Sequence, residues 1–387
     1  MTPEPSAPAS ITIDPAVLPL LAPMLRSAAQ MHAAGVCSAA DLNTAMRLGA
    51  RHPAGPLEII AELDPTAREE FELPDVAAEA EPIGAAPDGG AATPWSDAPV
   101  GVVGSGFMAS GIAYATAVAG QEVRLVGRTP AAVERAVGQV QSGLAKAAAR
   151  GHLDEQQARA AAARLTTGTE LELLAPCQLV IEAVAEDLAI KRAVFAQLDT
   201  ALPRAELLAT NTSSLRVRDI ATAVSSPHRV GALHFFSPVA AMRLVEVVGS
   251  DALAPNMLER GAAWVRSLGK VPVRCADRSG FIVNALLIPF LNDAVQAYED
   301  GHGSITEIDE LVTTGAGFPM GPFALLDFIG LDISLAAQRS IFEADGDERL
   351  RPARLLAARV AAGHLGRKSR QGFYDYTSEP PTPARAI

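Results

Sequence analysis

The run VGVVGSGFMASGIA, residues 100–113, constrains this chain more than any other stretch. A short oily segment, VGVVG, ends in Gly104-x-Gly106-x-x-Ala109, and FMASGIAYATAVAG continues with helical spacing. A strand that turns into a helix N-terminus leaves backbone N–H groups aimed past the turn, where a pyrophosphate can sit. Gly104 makes the tight turn and Gly106 lets the backbone approach the ligand, while Phe107, Met108 and Ala109 open the helix. The motif alone is weak, because glycines at strand ends are often plain turns. Here the alternation continues. EVRLVG reads as a strand and TPAAVERAVGQVQSGLAKAAARG as a long helix, and CQLVIEAV, ELLATNTS, HRVGALHF and LVEVVG supply further strands. Repeated βα units predict an α/β fold, a Rossmann-like doubly wound parallel sheet with a bound dinucleotide.

The second strand ends in LVGRT, where a carboxylate would ordinarily hold the adenosine ribose of NAD. This chain has Gly127 and then Arg128. An arginine here accommodates a 2′-phosphate, and the missing acid removes the repulsion against one. The expected cofactor is NAD or NADP, with Arg128 tilting toward NADP. The bland alternative is a solvated loop arginine beside an NAD that binds without the acid.

A net charge of -12 argues against a general nucleic-acid binder, whose footprint would be basic. Cys37, Cys177 and Cys275 are far apart and form no CxxC pair, and the seven histidines make no ligand spacing, so neither a disulfide framework nor a metal site is expected. The start, MTPEPSAPAS, lacks a basic signal-peptide region, and the longest oily run, FIVNALLIPFL, is broken by Asn284 and Pro289. A cytoplasmic protein with no membrane partner is the expectation.

Four blocks follow from composition and period. Residues 1–65 read as an N-terminal helical extension, 66–98 as a Pro/Gly/acid-rich linker, 99–280 as the dinucleotide domain and 281–387 as an all-helical domain. The two helical blocks resemble each other. GARHPAGPLEII (49–60) matches GAGFPMGPFALL (315–326), and without gaps residues 15–64 lie on 281–330. Gly35/Gly301, Gly49/Gly315, Pro53/Pro319 and the Gly-Pro pairs 55–56/321–322 coincide, which argues against chance because these residues fix turns. The first block reads as a partial copy of the last.

HFFSPVAAMRLVEVV, residues 234–248, places a histidine and a glutamate in apolar surroundings, which is costly unless the two are paired. An enzyme that oxidises an alcohol by hydride transfer needs a base for the hydroxyl proton, and histidine suits that near neutral pH. A carboxylate on the far ring nitrogen would fix the tautomer and balance the imidazolium. His234 ends one predicted strand and Glu246 lies in the next. The bland reading is a satisfied core histidine with a salt bridge; the dinucleotide loop upstream favours the functional one.

These stretches together resemble the L-3-hydroxyacyl-CoA dehydrogenase family. TNTSSL, HFFSPVAAMRLVEVV and DRSGFIVNALL carry the likeness, with VGVVGSGFMASGIA, VIEAVAEDLAIK, GFPMGPFALLDFIGLD and GRKSRQGFYDY in the family's order over about residues 99–380. The resemblance implies reversible oxidation of the 3-hydroxyl of an acyl-CoA, and a helical domain that makes a dimer. It makes His234 the base, Glu246 its orienting partner, Ser213 a donor to the substrate oxygen, and Asn284 a positioning group for His234 and the substrate carbonyl. Glu186, Lys191 and Lys368 match positions near the cofactor, Ser213 and Ser237 adjoin the nicotinamide, and Arg150 is a candidate for a CoA phosphate. Turn chemistry remains open for Ser213 and Asn284, and a surface charge for Lys191, Lys368 and Arg150.

The departures are Ala109 for the third glycine, Gly127 for the acid, Ser237 for an asparagine after HFF, and Ala285 where the family often has arginine. Longer relatives in the superfamily carry a second helical domain in the same chain. A homodimer or an internal pseudo-dimer through the helical domain is therefore expected, with residues 15–65 packed on residues 281–340. Two other readings stand beside the short-chain acyl-CoA one: a dehydrogenase for a carrier-protein-bound hydroxyacyl group, and a redox-silent scaffold. The intact Ser213, His234, Glu246 and Asn284 set argues against the last, since a retired site has no physical reason to keep buried polar groups.

Overall fold

A computed structural model describes residues 13–76, 93–95 and 98–384. The chain divides into two compact units, Met1–Ile83 with Ser279–Ile387, and Gly84–Arg278. Thus the first and last blocks, far apart in the sequence and expected to pack on each other, fall in one unit. The physical reason is that the short N-terminal helices bury their apolar faces on the C-terminal ones.

That helical unit begins with α1 (Leu18–Ala33), α2 (Ala39–Gly49), α3 (Pro56–Glu62) and α4 (Pro65–Glu70). The Ser38 hydroxyl caps α2 by accepting from the Asp41 amide, and Asp64 caps α4. Helix α4 lies where a linker was expected to begin, because Asp64-Pro65 supplies a helix start that a composition argument overlooks. Most of the expected linker, residues 77–92, 96 and 97, lies outside the described residues, as do residues 1–12. Trp95 departs from that expectation. It is buried in the core of the second unit, with the Arg260 guanidinium 4.5 Å above its ring.

The second unit holds β1 (Val100–Val103), α5 (Phe107–Val118), β2 (Val123–Val126), α6 (Pro130–Ala149), α7 (Glu155–Ala163), β3 (Leu165–Gly168) and β4 (Leu179–Glu182). Then come α8 (Leu188–Ala201), β5 (Leu207–Thr210), α9 (Val217–Ala221), β6 (Val230–Phe235), β7 (Leu244–Gly249), α10 (Pro255–Ser267) and β8 (Val271–Ala276). The eight strands form one sheet in the order β3-β2-β1-β4-β5-β6-β7-β8. Its first six strands have the order of a dinucleotide-binding fold, with the topological switch between β1 and β4. The inner strands are buried on both faces, which is why they read as continuous oily runs.

Two strands, β3 and β8, were not among those read from the sequence, and β7 departs from a wholly parallel sheet. It pairs antiparallel with β6. Residues 236–243 between them are too few for a crossover, which needs about a dozen or more, so the chain must turn back.

The helical unit resumes with α11 (Val283–Glu299), α12 (Ile305–Gly315), α13 (Pro322–Ile329), α14 (Leu331–Asp345) and α15 (Arg354–Ala361), then the short pair β9 (Tyr374–Asp375) and β10 (Thr382–Pro383). The buried Asp327 carboxylate accepts from the amides of Phe373 and Tyr374 at 2.8 Å each and from the Tyr376 hydroxyl. These bonds pin the GFYDY segment to α13.

Candidate active site

The strand register brings the candidate residues of the second unit, Arg150 apart, to the carboxyl end of the sheet. Val103 pairs with Val126 and with Glu182, Glu182 with Thr210, and Thr210 with Ala232. The turns after β1, β2, β4, β5 and β6 therefore emerge side by side, at the carboxyl ends where ligands of such sheets bind.

At the β1–α5 turn, Gly104 has φ +134°, and a Cβ there would fall 2.4 Å from the Ala183 carbonyl oxygen. Only glycine fits between the two turns. Gly106 is the N-cap of α5 and no side chain caps it, while a Cβ at Gly106 would meet only open space. Uncapped amides beside a bare backbone suit a pyrophosphate. Phe107 is exposed, Met108 half-buried and Ala109 buried under the turn. The residues present thus fit the phosphates of a dinucleotide.

Gly127 follows β2, and a Cβ there would lie 2.8 Å from a Val133 methyl and 3.2 Å from the Ser105 Cβ. Any side chain there would have to displace the Val133 methyl. Arg128 beside it is exposed and has no ion pair among the described residues.

His234 and Glu246 are register partners across β6 and β7. His234 Nδ1 lies 2.6 Å from Glu246 Oε2, with Glu246 fully buried and His234 5 % exposed. A direct pair in so dry a setting is strongly coupled and fixes the ring. The Phe236 ring tilts against the imidazole at 4.5 Å. Ser237, exposed, starts the connecting turn with a cis bond to Pro238. Lys270 holds that turn by donating to the carbonyls of Val239 and Met242 at 2.6 and 2.7 Å, and burial lowers its pKa to about 8.

Ser213 lies in the turn after β5. Glu186 Oε1 gathers this turn, accepting from the Thr212 hydroxyl (2.6 Å), the Ser213 amide (2.9 Å) and hydroxyl (3.2 Å), and the Ser214 amide and hydroxyl (3.1 Å each). Partial burial pushes the Glu186 pKa up, but the Lys191 ammonium and these donors outweigh it and hold the carboxyl below its ordinary value. Lys191, 1 % exposed, donates to both Glu182 oxygens at 2.8 and 3.1 Å and lies 3.4 Å from Glu186 Oε2.

Sequence reasoning missed Glu182 and Asn211. Glu182 ends β4 fully buried and also accepts from the Thr210 hydroxyl and the Val184 amide. Asn211 Oδ1 accepts from the Phe235 amide at 2.8 Å and so ties the serine turn to the histidine strand. The signal for Glu182 was present, an acid inside the oily run LVIEAV.

Arg150 does not join this group. It is exposed at the end of α6, about 30 Å of helix from the β2 turn at ~1.5 Å per residue. Asn284 and Lys368 belong to the helical unit. Asn284 is half-buried at the start of α11, and Lys368 is exposed and paired with Asp332 at 2.6 Å. No group of three metal-ligating side chains and no helix long and apolar enough to cross a membrane occurs among the described residues.

Comparison with known proteins gives the same picture. Residues 99–278 match the family described as 3-hydroxyacyl-CoA dehydrogenase, NAD binding domain. Residues 17–71 and 280–376 match its C-terminal domain. The chain is 40 % identical over 275 residues to a 3-hydroxybutyryl-CoA dehydrogenase of Clostridioides difficile, covering 71 % of this chain and 98 % of that one. It is 42 % identical over 281 residues to one from Mycobacterium tuberculosis, covering 72 % and 98 %. A solved (S)-3-hydroxybutyryl-CoA dehydrogenase from Ralstonia eutropha superposes with a TM-score of 0.70 at 36 % identity, over 72 % of this chain and 99 % of that one.

Proposed function

Because the chain belongs to the 3-hydroxyacyl-CoA dehydrogenase family, we propose that it interconverts short-chain (S)-3-hydroxyacyl-CoA and 3-oxoacyl-CoA, with 3-hydroxybutyryl-CoA and acetoacetyl-CoA its first substrates to try. It is an NAD(P)-dependent oxidoreductase. The observation that carries the reaction is the His234–Glu246 pair, buried at the end of the sheet that also bears the uncapped glycine turn.

His234 takes the hydroxyl proton on the ring nitrogen remote from Glu246. Glu246 holds the imidazole in the required tautomer and balances its charge as the proton arrives. The dry surroundings keep the pair coupled. The Ser213 hydroxyl, turned from its 3.2 Å bond to Glu186, donates to the oxygen on C3, where negative charge builds as the proton leaves. The bound nicotinamide supplies the hydride exchange with C3. Glu186 and Lys191 act on the site through the serine turn, since the Lys191 ammonium is buried between two carboxylates.

NADP is the preferred cofactor on this reading. Arg128 is exposed and without an ion pair among the described residues, and Gly127 brings no acid to the ribose position. Cys37, Cys177 and Cys275 are all buried and form no disulfide among the described residues, which supports a reducing, cytoplasmic location.

The test is direct. Acetoacetyl-CoA is supplied with NADH or NADPH and the nicotinamide absorbance is followed. Turnover should be measurable with the native chain and fall by about 10²–10⁴ in His234→Ala. Cofactor binding without turnover of any short acyl-CoA would overturn the proposal.

A further inference from the structure

The two halves of the helical unit correspond element by element. At a constant offset of 266 residues, α2 (Ala39–Gly49) maps onto α12 (Ile305–Gly315), Pro56 at the start of α3 onto Pro322 at the start of α13, and the end of α1, Ala33, onto the end of α11, Glu299. Finer features keep the same offset. Both first helices contain an internal proline, Pro23 and Pro289. Gly35 and Gly301 are both left-handed, as are Arg51 and Gly317. Asn43 Oδ1 accepts from the Leu57 amide at 3.0 Å, and Asp309 Oδ1 from the Phe323 amide at 2.8 Å. A Cβ at Gly55 or at Gly321 would collide with Asn43 or Asp309 respectively, at 2.3 Å in each case.

The halves also touch through matching positions. His52 maps onto Phe318, and these two rings stack on each other with centroids 3.6 Å apart and planes 16° apart. Helix α1 packs on its own counterpart α11. Ser27 maps onto Asp293, and one guanidinium, that of Arg349, reaches both, at 3.1 and 3.6 Å. Contact between a residue and its own counterpart marks the axis of a two-fold, isologous pairing. The first copy adds no chemistry to it, because the position matching Asn284 is Leu18, which is buried.

We infer that residues 13–76 occupy, within the same chain, a self-complementary face of the C-terminal helices, and so shut a second copy of this chain out of it. The face is apolar. Leu21 and Leu25 of α1 are fully buried, as are Ala294 and Val295 of α11. The partner that fits such a face is another helical domain of the same sequence pattern, and the chain carries that partner at its own N-terminus.

The experiment uses the full chain. Sedimentation equilibrium over a wide concentration range should give one species of 40.2 kDa. In parallel, His52→Cys/Phe318→Cys is bridged by a short bis-methanethiosulfonate reagent, each thiolate displacing one sulfinate, in an equal mixture of light- and heavy-isotope protein. The expected 52–318 cross-links join peptides of one isotope only. A two-chain mass with unmixed cross-links still supports the filled face and puts the association elsewhere on the surface. Mixed-isotope 52–318 cross-links, or none in a variant whose circular dichroism matches the parent, would overturn the inference. Neither arm reads turnover, so failure of the dehydrogenase reading would leave both results unchanged.

Discussion

His234 and Glu246 face each other across the antiparallel β6–β7 pair, with Nδ1 and Oε2 2.6 Å apart. The strand pairing, more than any loop, sets this distance, so the carboxylate can be altered without moving the base. Glu246→Gln should lower kcat by about 10²–10⁴, because an amide neither fixes the tautomer nor balances the imidazolium. The KM for the nicotinamide cofactor should stay near its original value. Steady-state kinetics checks this, and a loss confined to cofactor KM would contradict the role given to Glu246.

Arg128 stands exposed beside Gly127, which brings no acid to the ribose position. Arg128→Asp should lower the ratio of kcat/KM for NADPH over NADH by about tenfold or more, equivalent to at least ~1.4 kcal/mol. Equal use of both cofactors by the native chain would remove the basis for an NADP preference.

Glu186 draws three residues of the serine turn onto one oxygen. Glu186→Gln should reduce kcat more than cofactor affinity, since it slackens the turn that carries Ser213. It should also change the acid stability profile. The native carboxyl has a pKa below its unfolded value, so its stabilisation is present above the unfolded pKa and lost as pH falls through the folded one. The stability gap between native and Gln proteins should therefore narrow in acid. Denaturant unfolding at stepped pH measures it, and a gap that widens in acid would rule out this linkage.

His52 is stacked on Phe318 and buried, and burial lowers its pKa from 6.5 to about 3. Between those values the unfolded chain binds a proton that the folded chain refuses. Stability of the helical unit should fall as pH drops from about 6.5 toward 3, by up to ~1.4 kcal/mol per pH unit. His52→Phe, which copies its counterpart, should flatten that acid limb. A native-like acid limb in the variant would show that another group dominates there.

Much of the dinucleotide unit was legible because its signals are local. The glycine turn announces itself by spacing, and β1, β4 and β5 by continuous apolar runs. Strand β3 was hidden because RLTTG is a half-exposed edge segment with little oil, and β8 because Pro272 interrupts VPVRCA. His234 and Glu246 could be paired from sequence, since a base and a carboxylate on neighbouring strands imply each other. Lys191 could not be placed. Its motif suggested a contact near the cofactor, whereas its burial between Glu182 and Glu186 depends on β4 meeting α8 in three dimensions. The likeness of the two helical blocks was visible as matching Gly and Pro positions and suggested that they pack together, but it could not name the residues that touch. The His52–Phe318 stack lies 266 residues apart and has no local signature.

The chain order of the two units bears on how the molecule is made. Synthesis delivers α1 first and α11 only after the whole nucleotide-binding unit has been translated. At about 5–20 residues per second, that interval is on the order of tens of seconds. Throughout it the Leu21 and Leu25 side chains lack the surface that finally covers them. The sheet, whose strands all lie within the middle segment, can close in the meantime. The ribosome thus releases a finished dinucleotide fold trailing an unpaired helical arm, and the last hundred residues recapture that arm.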